Sequence, residues 1–381
     1  MSEFKDDENR RVDASIGELR PSIYAVIESP ADFAALRQQW ARHAAVPVIA
    51  ENRDEGIDHS WADLDVRTML RGEQSEGRFA AYSVVLAPGV GLPAHYYEDT
   101  HTYLVVADGE VELGVGNVVD SVGKHSLGFV PPRTRQSFRN TSERPVELVI
   151  VHSPAGAERA FEAAHDHWTE TGEQDESSYH AILSRFGVRF DDTLLENDGK
   201  TNYELPPVEF EFTGHGDLER LREKFLELPV LPRLVRTTPD EYDSSLTGAT
   251  RRKQLLNGDT SGGNAMLNLV SGPPGLGAPP HHQPTEEEFF FITGGQLELT
   301  CATETNALTP GAFAFCPRNC THGFNNKSDA EAQFVTLNSP AGHERTMAEV
   351  HRMRAQGATK EALHDLSVAG GFVFHSIEAL G

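Results

Sequence analysis

The chain has 381 residues, of which 38% are hydrophobic and 24% are charged, a composition that predicts a globular protein of two or three domains and excludes collagenous or coiled-coil chains. Its 58 Asp+Glu against 33 Lys+Arg give a net charge of -25, which would repel nucleic acid and anionic membranes, so neither is an expected partner. No apolar run has the length of a membrane span or the character of a signal peptide, so we expect a cytoplasmic protein.

Six elements outside the β-rich regions are predicted, as three pairs with one member in each half of the chain. Apolar residues at helical spacing predict helices over 29–43 and 216–228. A Ser-Pro dipeptide, interpreted as N-cap and first helical residue, predicts helices over 158–168 and 344–354. Each of these helices precedes another element, 183–190 or 367–374, with a Gly-x-x-Phe ending.

A gapless internal repeat organises the chain. Residues 67–159 match residues 253–345 at a constant offset of 186, with 25 of the 93 paired positions identical. Between the predicted helices, short apolar or alternating runs separated by Gly, Pro and Asn indicate strands of a barrel or sandwich. We therefore predict an all-β fold with flanking helices, built as two tandem barrels over 1–195 and 196–381, joined at the polar segment 196–200.

The second repeat carries the chemistry. Two spaced motifs occur, Gly275-x5-His281-x-Gln283-x4-Glu288-x6-Gly295 and Gly311-x5-Pro317-x-Asn319-x2-His322-x3-Asn326. They resemble the two motifs of the cupin superfamily, which implies jelly-roll barrels, but Gln283 stands where the family has a second His and Asn319 where it has Gly. Asn tolerates the left-handed conformation that a glycine position requires, so the second departure is mild.

The same spacing predicts a shared site. Residues 281 and 283 lie on one face of a strand because side chains alternate, while Glu288 and His322 come from other strands that a barrel brings together. Two imidazoles and a carboxylate are ligands typical of non-haem Fe(II), and Gln283 could add an amide oxygen; Mn, Ni, Co, Cu or Zn could occupy the same set. The repeat register favours His281 as first ligand, whereas a shorter spacer before the carboxylate favours His282.

The first repeat is degenerate at these positions. It has His95, Tyr97, Thr102 and Gln136, and one retained ligand is too few for firm metal binding. One inserted residue would let His101 take the place of the carboxylate. Otherwise we expect this barrel to serve packing, dimerisation of the chain as a homodimer, or a small-molecule pocket.

Aromatic residues around the predicted metal site indicate the kind of substrate. Phe290, Phe315 and Phe324 are strand residues predicted to line the cavity, which favours a flat, aromatic ligand.

The tandem barrels and the Ser-Pro-Ala-Gly-x-Glu-Arg helix starts further resemble bicupins of the quercetin dioxygenase-like group. That resemblance implies a single metal, C–C cleavage of a flavonol-like ring with O2, and Glu288 as the residue that accepts the substrate hydroxyl proton. Two other hypotheses remain: a cupin isomerase, cyclase or hydrolase with the metal as Lewis acid, and a non-catalytic binding bicupin.

Overall fold

The structure is a computed structural model that describes residues 27–173, 175–191, 195–196, 198–214, 216–238, 243–247 and 250–376. Most of its regular structure is β-strand. The strands before residue 236 are β1 (Val48–Ala50), β2 (Ile57–Asp58), β3 (Leu64–Leu70), β4 (Ala80–Leu86), β5 (Gly91–Tyr97), β6 (His101–Asp108), β7 (Glu110–Val115), β8 (Val118–Gly123), β9 (Leu127–Val130), β10 (Gln136–Arg139), β11 (Val146–Ser153), β12 (Val188–Arg189) and β13 (Arg233–Val235). Those after it are β14 (Asp243–Thr247), β15 (Thr250–Leu256), β16 (Met266–Gly272), β17 (Gly277–His282), β18 (Glu287–Gly294), β19 (Leu297–Cys301), β20 (Glu304–Leu308), β21 (Phe313–Cys316), β22 (His322–Asn325), β23 (Ala332–Ser339) and β24 (Val373–Phe374).

Helices flank the strands of each half. They are α1 (Pro30–Trp40), α2 (Ala157–Thr171), α3 (Glu176–Ser184), α4 (Asp217–Phe225), α5 (Gly258–Ser261), α6 (His343–Ala355) and α7 (Lys360–Ala369). The four predicted helices correspond to α1, α2, α4 and α6, whereas each Gly-x-x-Phe element is the end of a helix followed by a short strand. Within the described ranges, no helix combines the length and the apolar character that crossing a bilayer requires.

The predicted role of Ser-Pro as helix cap is wrong in both repeats. Ser153 is still part of β11, and the N-cap of α2 is Gly156, whose φ of 134° suits glycine. The backbone N–H of Gly156 donates to the carboxylate of Glu158 at 2.6 Å. A glutamate inside the first turn therefore satisfies the N–H of the N-cap residue, as the acidic residue of a capping box does.

Each repeat forms one seven-stranded and one five-stranded sheet, and the strand pairs are antiparallel. In the first repeat the strand orders are β13-β9-β6-β11-β4-β3-β2 and β12-β5-β10-β7-β8. In the second they are β1-β21-β18-β23-β16-β15-β14 and β20-β19-β22-β17-β24. The two halves thus repeat the same arrangement, as the constant offset in the sequence predicts.

The two barrels exchange strands. β1, from the start of the chain, pairs with β21 of the second repeat, so that Val48 lies opposite Phe315. β13 pairs with β9 of the first repeat, so that Arg233 lies opposite Phe129. The division into 1–195 and 196–381 stays a prediction, and its joint lies partly outside the described residues; each half nevertheless completes a sheet of the other.

The central strands of the seven-stranded sheets are buried on both faces. One face of each closes its own barrel, and the other contributes to a core shared between the barrels. That shared core includes Tyr103 and Phe129 from the first repeat and Phe289, Phe313 and Phe315 from the second. Strands buried on both faces appear as continuous apolar runs, which explains why residues 289–292 show no alternation.

Candidate metal centre

Three strands of the second barrel bring His281, Glu288 and His322 together. His281 on β17 and His322 on β22 are cross-strand partners, and Glu288 enters from β18 of the facing sheet. One potential ligand atom from each residue lies within 4.8 Å of the other two, and all three residues are buried. The strand alternation that predicted a shared site therefore brings two imidazoles and a carboxylate to one point.

Backbone carbonyls orient both imidazole rings. The Nδ1 atom of His281 lies 2.8 Å from the carbonyl oxygen of Pro279, and that of His322 lies 2.9 Å from the carbonyl oxygen of Cys320. A carbonyl oxygen can only accept, so each Nδ1 carries a proton and donates it. The Nε2 atoms therefore point away from these carbonyls, and a hydrogen bond at the other ring nitrogen is how proteins orient a histidine toward a metal.

The contact between His322 and Glu288 tests whether a metal fits. Nε2 of His322 lies 2.9 Å from Oε2 of Glu288. With the ring proton on Nδ1, a neutral His322 would face the carboxylate with a lone pair, so two acceptors would meet in a buried site. A cation between or on them removes this conflict, and it can be a proton on the ring or a divalent metal. The donor set present therefore fits a metal ion.

Charges within the cluster shift its pKa values in opposite directions. Burial works to raise the pKa of Glu288, but the hydrogen bond and charge of His322 outweigh it and lower this pKa to about 2. Burial also works to lower the pKa of His322, and there the Glu288 carboxylate prevails and raises it. The pKa of His281 falls to about 4 because burial disfavours its charged form.

Gln283 joins the cluster through a hydrogen bond to the carboxylate of Glu288. It follows β17 directly, is buried, and its Nε2 donates to Oε2 of Glu288 at 3.0 Å. The position two residues after His281 thus reaches the same site, as the alternation predicts. Whether Gln283 serves as a fourth ligand stays a prediction.

The alternative first ligand, His282, lies outside the cluster. Its side chain is on the opposite face of β17, where Nδ1 is 3.2 Å from Nε2 of His375. Adjacent residues of a strand point to opposite faces, so His281 and His282 cannot both face the barrel interior. The repeat register, which pairs His281 with His95, identified the residue that faces inward.

The aromatic residues predicted to line the cavity divide between two faces. Phe290 lies with its ring centroid 6.2 Å from that of His322 and 5.8 Å from that of Phe324, inside the second barrel. Phe315 is a correction: it belongs to the shared core and packs on Phe289 at 5.0 Å. In the sheet, Phe315 pairs with Phe289 and Ala314 with Phe290, so Phe315 shares the outward face.

Two phenylalanines beside the site were missed. The rings of Phe372 and Phe374 lie 4.8 Å and 5.7 Å from the ring of His281, because β24 adds to the edge of β17. The signal in the sequence was the Gly-x-x-Phe ending, since its counterpart Phe190 lies 6.0 Å from His95 in the first barrel. A recurring aromatic after each barrel therefore marks a strand that covers the histidine.

The first barrel holds a neutral network at the equivalent place. The amide nitrogen of Gln136 is 3.2 Å from Nε2 of His95 and 3.3 Å from the hydroxyl of Thr102. Tyr97 lies beside them with its ring 5.6 Å from that of His95. These four positions contain no carboxylate, and the described residues show one His/Cys/Asp/Glu cluster of metal-binding geometry, which is in the second barrel.

The proposed rescue by His101 is wrong. Its ring stacks on Phe129 at 6.0 Å, on the side of the shared core. His101 is one residue before Thr102, which faces the interior, and without an insertion the alternation turns His101 away. The first barrel therefore lacks the third ligand that a firm site would need.

The paired sheets, present in both repeats, have the arrangement of a cupin barrel, and the second barrel adds an inward His–Glu–His cluster. Residues 268–338 match the family model described as a cupin domain. The fold is that of two tandem cupin barrels, and the second of them contains the matched cupin domain.

The relatives and solved structures that the chain resembles share less than 30% sequence identity with it. The chain is 20% identical over 272 residues to quercetin 2,3-dioxygenase of Bacillus subtilis (strain 168), which covers 71% of this chain and 76% of that protein. It is 29% identical over 84 residues to Protein SchB of Streptomyces halstedii, covering 22% of this chain and 61% of that protein. Among solved structures, the oxalate decarboxylase formate complex of Lactobacillus farciminis aligns with a TM-score of 0.50 and 12% identity, over 89% of this chain and 97% of that one. The structural likeness concerns the fold.

Proposed function

We propose that this protein is a metal-dependent dioxygenase that cleaves a C–C bond of a phenolic or enolic, flavonol-like ring with O2. The observation that carries the proposal is the buried contact of Nε2 of His322 with Oε2 of Glu288, because a divalent metal held by the two imidazoles and the carboxylate would resolve it. The similarity to quercetin 2,3-dioxygenase supports this reaction class.

His281, Glu288 and His322 would hold the ion, with Gln283 as a further neutral ligand. When bound, a divalent transition metal, Fe(II) by the ligand set, supplies a Lewis acid for an enol oxygen and a centre at which O2 can react. Pro279 and Cys320 fix the two rings through their carbonyl oxygens, so the Nε2 atoms are positioned before any ion arrives.

Glu288 is the residue that would accept a proton from the substrate. Its carboxylate oxygen accepts the proton of the substrate hydroxyl, which leaves the enolate that O2 can attack. Gln283 and His322 both contact Oε2, so the carboxylate is oriented before substrate binds. The apolar rings of Phe290 and Phe324 nearby exclude water and suit a flat aromatic substrate.

Metal analysis of matched variants tests the proposal. The offset of 186 makes Gln136 the counterpart of His322, so Gln136→Ala controls for loss of a buried polar side chain at the same strand position. We expect about one metal per chain in the wild type and in Gln136→Ala, and little in His322→Ala, with quercetin-dependent O2 uptake falling at least about 100-fold in His322→Ala.

Other results would contradict the proposal in specific ways. Turnover without O2 would identify a Lewis-acid isomerase, cyclase or hydrolase. An absence of metal in the wild type after metal is supplied would identify a binding protein. Two metals per chain would place a second centre in the first barrel.

A further inference from the structure

Three interior positions differ systematically between the barrels. At the offset of 186, the first barrel has Tyr82, Tyr97 and His152 where the second has Asn268, Gln283 and Asn338. In the first barrel the ring of His152 lies 4.7 Å from that of Tyr97 and 5.3 Å from that of Tyr82. Three packed rings therefore fill the first interior, and three smaller carboxamides occupy the same positions in the second.

Two of these carboxamides are buried without hydrogen-bond partners. Asn338 is 1% exposed, and neither its amide nitrogen nor its amide oxygen is paired. Asn268 is 3% exposed, and its amide oxygen is unpaired. Buried amides in native proteins nearly always have partners, so unpaired ones in an enzyme interior point to groups that a ligand satisfies.

Both side chains face the metal-binding cluster. Asn338 on β23 lies directly opposite Glu288 on β18, and directly opposed residues share a face with their Cβ atoms about 5 Å apart. Asn268 on β16 lies opposite Thr336, one inward-facing position from Asn338. The amides and the carboxylate therefore belong to one wall of the barrel.

The chemistry of this wall selects an uncharged ligand. A carboxamide both donates and accepts without charge, so it pairs with hydroxyl and carbonyl oxygens and supplies no charge to balance a dicarboxylate. We propose that Asn268 and Asn338 bind the uncharged oxygens of the substrate beside the His281–Glu288–His322 cluster, and that they select an adjacent hydroxyl and carbonyl pair over a dicarboxylate. This inference rests on the proposed function and specifies its substrate class.

The experiment removes the amide and keeps the branching of the side chain. Asn338→Leu replaces the amide oxygen and nitrogen by methyl groups, and Asn268→Leu does the same at the second position. His152→Leu is the matched control, because His152 occupies the place of Asn338 in the first barrel. Affinity for quercetin and for oxalate is measured by calorimetry under argon, together with metal content and thermal unfolding, so that folding and metal binding have readouts of their own.

The expected result is specific to the second barrel and to one probe. Asn338→Leu should stay folded and keep its metal, because the lost groups are unpaired, while quercetin affinity falls about tenfold or more. His152→Leu should leave the affinity unchanged. Asn268→Leu gives the same comparison if Asn338→Leu does not fold.

Two kinds of outcome separate this inference from the proposed function. Wild-type affinity for quercetin in both Asn variants, or a metal-loaded wild type that binds oxalate or neither probe instead of quercetin, overturns the inference. Quercetin affinity that depends on Asn338 in a protein without metal would retain the inference and overturn the proposed function.

Discussion

The two barrels share a frame and differ in what it encloses. In both, a histidine at the end of the first motif strand has its Nδ1 held by a proline carbonyl, at 2.8 Å for His95 and for His281. The second barrel combines that histidine with a carboxylate and another imidazole, whereas the first combines it with a threonine and a glutamine. The frame is thus independent of the metal site, and a few inward positions decide the chemistry.

The largest expected effect comes from building the metal-binding cluster of the second barrel into the first barrel. Thr102→Glu together with Gln136→His restores the ligand types beside His95, whose ring is already oriented. We expect metal content to rise from about one to about two per chain, measured by elemental analysis, with metal-dependent thermal stabilisation.

A folded double variant with unchanged metal content would contradict the independence of frame and site. The rings of Tyr97 and His152 would then be the obstacle, and adding Tyr97→Gln, the residue of the second barrel, would test that. The single variant Gln136→Ala is the control for the effect on stability of losing the Gln136 side chain.

The fold and the metal-binding cluster were largely accessible from sequence, and the failures have a common cause. The gapless offset of 186 predicted two equal barrels, and alternation predicted that His281 and Gln283 share a site. Alternation tells which residues share a face but not which face points inward. Because the seven-stranded sheets are apolar on both faces, nothing in the pattern distinguished Phe315, which faces the other barrel, from Phe290, which faces the site.

Long-range pairing was the other inaccessible part. β1 and β13 each have three residues and lie outside the gapless match, although the offset of 186 places one on the other, and each joins the sheet of the other repeat. Short strands acquire their partner from tertiary contacts, which local periodicity does not encode. The unpaired amides of Asn268 and Asn338 became visible only once the strand register was known.

The shared core should couple the stabilities of the barrels. Phe289 is fully buried between them, whereas Phe334 is fully buried inside the second. We expect each change to alanine to cost about 3–5 kcal/mol of unfolding free energy. Phe289→Ala should reduce hydrogen-exchange protection in β6 and β11 as well as in β18, and Phe334→Ala in the second barrel alone.

Equal losses of protection in the first barrel from both variants would show that the chain unfolds as one unit regardless of the layer affected. Loss confined to the second barrel in Phe289→Ala would show that the shared core does not transmit stability.

The capping glutamates share two backbone contacts, and Glu158 has one more, because the hydroxyl of Tyr82 donates to its Oε2 at 3.3 Å. Glu158 accepts from the N–H groups of Gly72 at 2.8 Å and Gly156 at 2.6 Å, and Glu344 accepts from those of Gly258 at 2.8 Å and Gly342 at 2.7 Å. Glu344→Ala should lower unfolding free energy by about 2–3 kcal/mol, because two buried donors lose their acceptor, and Glu158→Ala should lower it slightly more, because the Tyr82 hydroxyl loses its acceptor as well. Denaturant titration measures both, and a strong difference would show that one helix is anchored mainly by other contacts.

The smallest expected effect is on how the unfolding free energy depends on pH, for which a histidine in each barrel has the opposite sign. Burial lowers the pKa of His152 to about 3. Such a histidine stays neutral in the folded protein but has a pKa of about 6.5 in the unfolded chain. The folded protein therefore loses stability as pH falls below 6.5, since only the unfolded chain binds the proton. At pH 5.5, about one unit below the unfolded pKa, this loss is about 1 kcal/mol.

His343 in the second barrel has the opposite sign. Burial works to lower its pKa, but the buried carboxylate of Glu286 outweighs this and raises it. The stability it contributes is fully present below pH 6.5 and is lost as pH rises through the raised value. His152→Asn should therefore reduce the fall in unfolding free energy between pH 7.5 and 5.5 by about 1 kcal/mol, whereas His343→Asn should steepen it. Because the two residues titrate in opposite senses within one fold, parallel slopes in the two variants would show that neither histidine controls the acid response.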